Sequence, residues 1–335
     1  MLNSKTEALG IIFPNSYDAM VPELASERLM ASIPFASRYR MCDFILSSMV
    51  HSGIDNISII VRKNYHSLLD HLGAGREWDL VRKNGGLNIV PPFAQKQVKV
   101  FEGRIEALES LRGYLLKQPQ KYVIMTDANI AINFDFNELL DAHIKSGADV
   151  TMMYRKQEIP KAFIRQSRDR MDLYYALGMN GDRVSKIYIN PTEEGEMNFS
   201  MNIYVVEREF LIHMIDDAYV HGHTYFVRDL LDKQIDRLDI RGFCYDGYVV
   251  NIHDTQSYFE ENMRLLQEEN LNALFSPNQI YTKIRDDNPT RYINGSKAKN
   301  VMVADGCVIE GEVENERPVS RRSRRKRRKS EKLVC

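Results

Sequence analysis

The sequence predicts an α/β protein built on a doubly wound parallel sheet, with a short repetitive β segment behind it. Two observations predict the sheet: short apolar runs recur along the chain, and stretches of helical period separate them. A third predicts the segment behind it, where apolar residues alternate with Asp-Gly and Glu-Gly turns over residues 301–313.

The first strand is Ala8-Leu9-Gly10-Ile11-Ile12-Phe13, an unbroken apolar run of the kind buried on both faces of a parallel sheet. Residues 57–61, 122–125 and 150–154 read the same way, and helices are expected over 105–116 and 136–146. Such sheets bind ligands outside the carboxyl ends of their strands. Beyond residue 154 the pattern loosens, with strands expected over 184–189, 199–206 and 247–252 and helices over 208–219 and 256–275. The expected organisation is an α/β domain over 1–275, a polar linker over 276–296, one or two hexapeptide rungs over 297–315, and a tail over 316–335. Rungs bury their faces only against neighbours, and here the neighbours are missing, so Val301, Val303, Val308 and Val313 should lie uncovered.

Composition narrows the function classes. Apolar residues make up 44% of the 335, which excludes wholesale disorder. No 18-residue window is free of Asp, Glu, Lys and Arg, so no membrane-spanning helix is expected, and Met1 to Glu7 lack the apolar core of a signal peptide. Cys42, Cys244, Cys307 and Cys335 lie far apart with no CxxC pair, against both a disulfide scaffold and a zinc ribbon. A cytoplasmic protein with no membrane partner is expected. The net charge of −1 is unevenly divided: residues 316–335 hold ten Lys/Arg and two acids, and the other 315 hold 35 bases and 44 acids. That basic tail should repel itself and stay disordered. It contains no aromatic residue to stack on bases, so no nucleic-acid partner is expected.

Two stretches are more specific than periodicity. One is Ile33-Pro34-Phe35-Ala36-Ser37-Arg38-Tyr39-Arg40-Met41-Cys42-Asp43-Phe44-Ile45-Leu46-Ser47, followed by Ser52-Gly53-Ile54. The other is Gly73-Ala74-Gly75-Arg76-Glu77-Trp78-Asp79-Leu80, followed by Gly85 to Phe93. Both resemble bacterial ADP-glucose pyrophosphorylase (glucose-1-phosphate adenylyltransferase), which makes ADP-glucose for glycogen from ATP and glucose 1-phosphate. Thr126-Asp127, Ser200 to Tyr204 and Tyr258 to Met263 keep the same register. The resemblance spans roughly residues 8–315. It implies a Rossmann-like nucleotidyltransferase domain followed by the start of a left-handed β-helix.

The departures from the family pattern are informative. Nucleotidyl transfer needs donors that cradle a triphosphate and cations that neutralise the transferring phosphorus. Where the active family has a glycine-rich loop ending in Arg, this chain has Phe13-Pro14-Asn15-Ser16-Tyr17-Asp18-Ala19-Met20. Pro14 has no N–H to donate, and Asp18 would repel phosphate. Met30 stands where the family has its phosphate-facing lysine, and Ile189-Asn190-Pro191 replaces Glu-Lys-Pro at sugar recognition. Of two Mg²⁺ carboxylates, Asp127 matches the first, while the second position aligns with Tyr225. One Asp alone is a poor Mg²⁺ site. Asp127 at a strand end could equally cap the following segment.

The resemblance is therefore to the family's non-catalytic, GlgD-type regulatory subunits. It implies a hetero-oligomer, tetrameric, with a catalytic subunit. Mg²⁺ is expected only in that partner, so this chain needs no cofactor and no metal. Asp127 is the residual catalytic position. Gly75, Arg76 and Ser200 should line a nucleotide or sugar-phosphate cleft, and Arg28 and Arg40 match positions of basic effector-binding residues. The alternatives are an active adenylyltransferase with altered phosphate contacts and a nucleic-acid binder acting through the tail. His221-Gly222-His223 reads as a solvated turn, and Cys42 and His51 as residues of a core helix. The family pattern ends abruptly after Glu314-Asn315. With permissible codons, residues 316–332 read one nucleotide later yield repeat-like text, so a reading-frame shift is expected there.

Overall fold

A computed structural model of the chain describes residues 7–91, 101, 103–166, 174–193, 195–284, 286, 288–293 and 295–315. The basic tail, and with it the expected frame shift and disorder, lies outside the described residues.

Nine strands form one sheet: β1 Ala8–Phe13, β2 Asn56–Ile60, β3 Gly86–Val90, β4 Tyr122–Asp127, β5 Val150–Glu158, β6 Tyr175–Asn180, β7 Arg183–Ile189, β8 Glu196–Glu207 and β9 Ile240–Cys244. Their spatial order is β3-β2-β1-β4-β8-β5-β9-β7-β6. Strands β3, β2, β1 and β4 run parallel, whereas β8 lies antiparallel between β4 and β5.

Two helical layers cover this sheet, because successive side chains of a strand point to opposite faces. Leu9, Ile11 and Phe13 of β1 pack with Ile105, Leu108 and Leu111 of α3 (Arg104–Leu115) and with Leu211 and Ile215 of α5 (Arg208–Val220). Ala8 and Ile12 join the opposite face, under α1 (Met41–His51), α2 (His66–Leu72) and α4 (Phe136–Ser146). The doubly wound α/β expectation holds, but the sheet is mixed and not parallel throughout, because β8 and the β6–β7 hairpin pair antiparallel with their neighbours.

Several expected elements differ. The helix expected over 256–275 is two, α6 (Thr255–Arg264) and α7 (Glu268–Phe275), separated at Leu265 to Gln267. The strand expected over 247–252 is reduced to Val250–Asn251, which pairs with Ile130–Ala131. The expected linker is packed down in its first part. His51 Nε2 lies 2.7 Å from the Gln279 carbonyl, the Tyr281 N–H donates to Ser47 Oγ at 2.8 Å, and Ile280 is buried. Beyond it, Arg291–Tyr292 pairs in parallel with Val308–Ile309, and Lys297–Lys299 with Glu312–Glu314. Those two short pairs are what the described residues contain of the repeat. Cys307 and Ile309 are buried, while Val308 is exposed and Val301, Val303 and Val313 are only half-buried.

Candidate functional site

The chain leaves β1 toward β2 and β3 on one side, then returns to β4 on the other, so the order of strands reverses between β1 and β4. A ligand crevice belongs at the carboxyl ends of these two strands. Phe13 and Asp127, the last residues of β1 and β4, face each other across that point.

Asp127 is 1% exposed. Its Oδ1 accepts from Ser16 Oγ at 2.7 Å and from Arg104 Nη2 at 2.5 Å, and its Oδ2 is buried without a hydrogen-bond partner. Burial pushes the Asp127 carboxyl up; Arg104 and Ser16 only partly offset it. Burial also works against the Arg104 charge, but Asp127 together with the Tyr204, Tyr175 and Tyr17 phenols outweighs it and raises the guanidinium pKa. That guanidinium lies 4.4 Å from the Phe13 ring centroid and 5.7 Å from that of Tyr204.

The loop after β1 is closed on itself. Asp18 accepts from Asn15 Nδ2 at 2.7 Å and from the Met30 N–H at 2.6 Å, so the acid expected to repel phosphate serves as an internal cap. The N–H groups of Met20 and Val21 donate back to Tyr17 and Asp18 carbonyls. Met30 is fully buried in the apolar cluster that holds Tyr17, Phe35 and Phe44. Tyr17, at φ 64°, turns a buried side chain inward. Asn202 Nδ2 donates to Tyr17 Oη at 2.8 Å, and Tyr204 Oη donates to Asn202 Oδ1 at 2.8 Å. Asn202 itself has φ 55°, at the irregularity between Ser200 and Ile203 in β8. Burial holds the Tyr17 and Tyr204 phenols well above their usual range, so both are neutral hydrogen-bonding groups.

The residues singled out from sequence separate into groups. Asp127 and Ser200 come together around Tyr204, whose phenol is bonded by Ser200 and lies near the Asp127 charge. Ser200 is buried and accepts from the Asn202 N–H at 3.3 Å. Gly75 and Arg76 have no described partner in that group. Gly75, at φ 78°, opens the turn Arg76–Trp78 against Leu80 and Leu87, and Arg76 is exposed.

Arg28 and Arg40 lie near enough for their charges to act on each other. Burial lowers the Arg40 pKa, and the Arg28 charge lowers it further. Arg40 Nη1 donates to Ser67 Oγ at 2.7 Å and to the Ser67 carbonyl at 3.0 Å. Tyr225 opens a local turn that the Asp229 carboxylate caps. Its N–H and that of Thr224 donate to Asp229, and Arg228 lies 4.0 Å from its ring centroid. The polar side chain beside the loop after Asp127 is instead Asn251, which accepts from Asn129 Nδ2 at 3.1 Å.

One cluster of metal-ligating types exists among the described residues: Cys42, Asp43 and His71, all buried. Asp43 Oδ1 lies 2.6 Å from His71 Nε2, and Asp43 Oδ2 accepts the Arg40 N–H at 2.9 Å. Both oxygens are therefore engaged, and the cluster ties the start of α1 to α2. Burial raises the Cys42 thiol well above its usual range, which makes it a packed side chain and a poor nucleophile. His51, expected in the core, docks the linker through Gln279, and it stacks on Tyr281 at 5.1 Å. His221 and His223 stack at the end of α5, with His221 on the Asp217 carbonyl.

The family model described as "Nucleotidyl transferase" matches residues 23–268. The chain is 31% identical to the "Glycogen biosynthesis protein GlgD" of Bacillus subtilis (strain 168), over 92% of this chain and 78% of that protein. It is 34% identical to the protein of the same description from Geobacillus stearothermophilus, with the same two coverages. The chain belongs to the GlgD-type branch of the ADP-glucose pyrophosphorylase family. Its likeness to the "Glucose-1-phosphate adenylyltransferase" of Geobacillus stearothermophilus is lower, 27% identity over 92% of this chain and 79% of that one. The branch fits the nucleotidyltransferase sheet and its crevice at the β1–β4 reversal. No helix among the described residues is long and apolar enough to cross a membrane.

Sequence reasoning missed Arg104, Tyr17 and Asn202. One signal was present: Arg104 is the first residue of α3, where the helix dipole disfavours a cation. A basic residue at that place calls for a nearby acid, and Asp127 supplies it.

Proposed function

We propose that this chain is the regulatory, non-catalytic subunit of a glucose-1-phosphate adenylyltransferase in glycogen biosynthesis. The observation that carries the reading is the bonded chain Tyr17–Asn202–Tyr204, which sets neutral, buried side chains near Asp127, where a triphosphate would need donors and cations. The catalytic partner converts ATP and glucose 1-phosphate to ADP-glucose and diphosphate, and this chain raises the activity of the cytoplasmic assembly. Arg28 and Arg40, two cations whose charges act on each other, are the place for an anionic effector. The parallel pairs, offset by 17 residues (291 to 308) and 15 residues (297 to 312), support a reading as the first coils of a left-handed β-helix. Through it the subunits join as a hetero-tetramer.

The test is to mix purified chain with a catalytic subunit of the family. Co-elution on size exclusion, together with ADP-glucose formation several times that of the partner alone, is expected. Separate elution with unchanged activity would remove the regulatory role. What speaks against the reading as an active adenylyltransferase is that Asp127 already carries an internal cation.

A further inference from the structure

We propose that the Arg104 guanidinium takes the place of a divalent cation in this crevice, neutralising Asp127 from within the chain and excluding Mg²⁺. The inference rests on the reading of a silent crevice and supplies its physical cause.

Mg²⁺ demands an octahedral set of oxygens and is usually held by one or two carboxylates plus substrate phosphates. The groups bonded to Asp127 do not fit it. Ser16 and Arg104 both donate to Oδ1, and a guanidinium 2.5 Å away would repel a second cation. Asp127 Oδ2 is buried away from solvent, out of reach of a hydrated ion. Asn251, which accepts from Asn129 in the loop that follows, is an amide and adds no carboxylate.

The guanidinium is built in on every side. Its side chain is only 17% exposed, between the rings of Phe13 and Tyr204. Its backbone is set by the close approach of Gly103 to Thr224: a Cβ on Gly103 would stand 2.3 Å from the Thr224 oxygen. The neighbouring Ile105 N–H donates to that same oxygen at 3.3 Å. A cation opening a helix is unfavourable against the helix dipole, and the buried carboxylate of Asp127 offsets it. Arg104 delivers one positive charge, fixed in place, that cannot follow phosphate oxygens through a transfer as a metal ion does.

The experiment follows Mn²⁺, as a paramagnetic probe for Mg²⁺ sites, by its electron paramagnetic resonance signal in the presence of the full chain. Wild type should leave the signal unattenuated to about millimolar protein, the weak end of specific binding. Arg104→Ala should gain one site at least tenfold tighter, and adding Asp127→Asn to it should abolish that site. Wild type binding one Mn²⁺ that Asp127→Asn releases would overturn the proposal, whether or not Arg104→Ala folds. So would a folded Arg104→Ala chain, with wild-type circular dichroism, that gains no site. If either happens while wild type still stimulates the catalytic subunit, the cation replacement fails and the regulatory reading stands. If the expected Mn²⁺ pattern appears without stimulation, the cation replacement stands and the regulatory reading fails.

Discussion

Asn202 bridges two buried phenols from a backbone conformation that only Gly, Asn and Asp adopt readily, φ 55°. Two substitutions separate its two roles. Asn202→Ala loses both bonds and keeps the positive φ, so a loss of about 2–4 kcal/mol is expected. Asn202→Gly loses the bonds but is at ease in that conformation, and should cost about 1–2 kcal/mol less than Ala in urea unfolding. Equal losses would mean that backbone strain is not part of the site. His143 offers a pH test. Burial lowers its pKa from 6.5 to about 4, with its Nδ1 on Thr151 Oγ1 at 2.8 Å. The unfolded chain therefore takes up the proton first. The stability contribution is complete above about pH 6.5, falls as pH drops toward 4, and is level below that. Between pH 7 and pH 5 the loss should be about 2 kcal/mol by linkage, and His143→Gln should remove that increment from the unfolding curve.

The start of α3 depends on a glycine. Gly103→Ala would drive a Cβ into the Thr224 backbone, so α3 must shift and Arg104 with it. A destabilisation of about 1–3 kcal/mol is expected, read by chemical denaturation. A neutral result would show that Thr224 yields freely. The elements also show what was legible. Strands β1 and β4 were readable because all their residues are buried, and burial on both faces writes a continuous apolar run. Strand β3, Gly86–Val90, carries Asn88 and three half-buried positions, and β9 carries Arg241 and Gly242, so neither leaves such a run. The break between α6 and α7 has no Pro or Gly to mark it. It is set by packing, Leu265 being buried in the cluster that holds Tyr258 and Leu274.

At the scale of the molecule, the alternation of strands and helices placed a ligand site at the carboxyl ends of the strands, and the strand order of the structure puts the reversal between β1 and β4. Asp127 and Ser200 were legible because short local text surrounds each. Arg104, Tyr17 and Asn202 were not, since their roles exist only across separations of 23 and 185 residues that no local pattern encodes. On the proposed reading, the assembly of these distant groups around Asp127 leaves no place for Mg²⁺ and so no turnover. The most direct test is diphosphate release by the isolated chain, with ATP, glucose 1-phosphate and Mg²⁺, at high protein concentration. The account predicts a rate at background, the same for wild type and Asp127→Asn. Mg²⁺-dependent release that Asp127→Asn abolishes would contradict it.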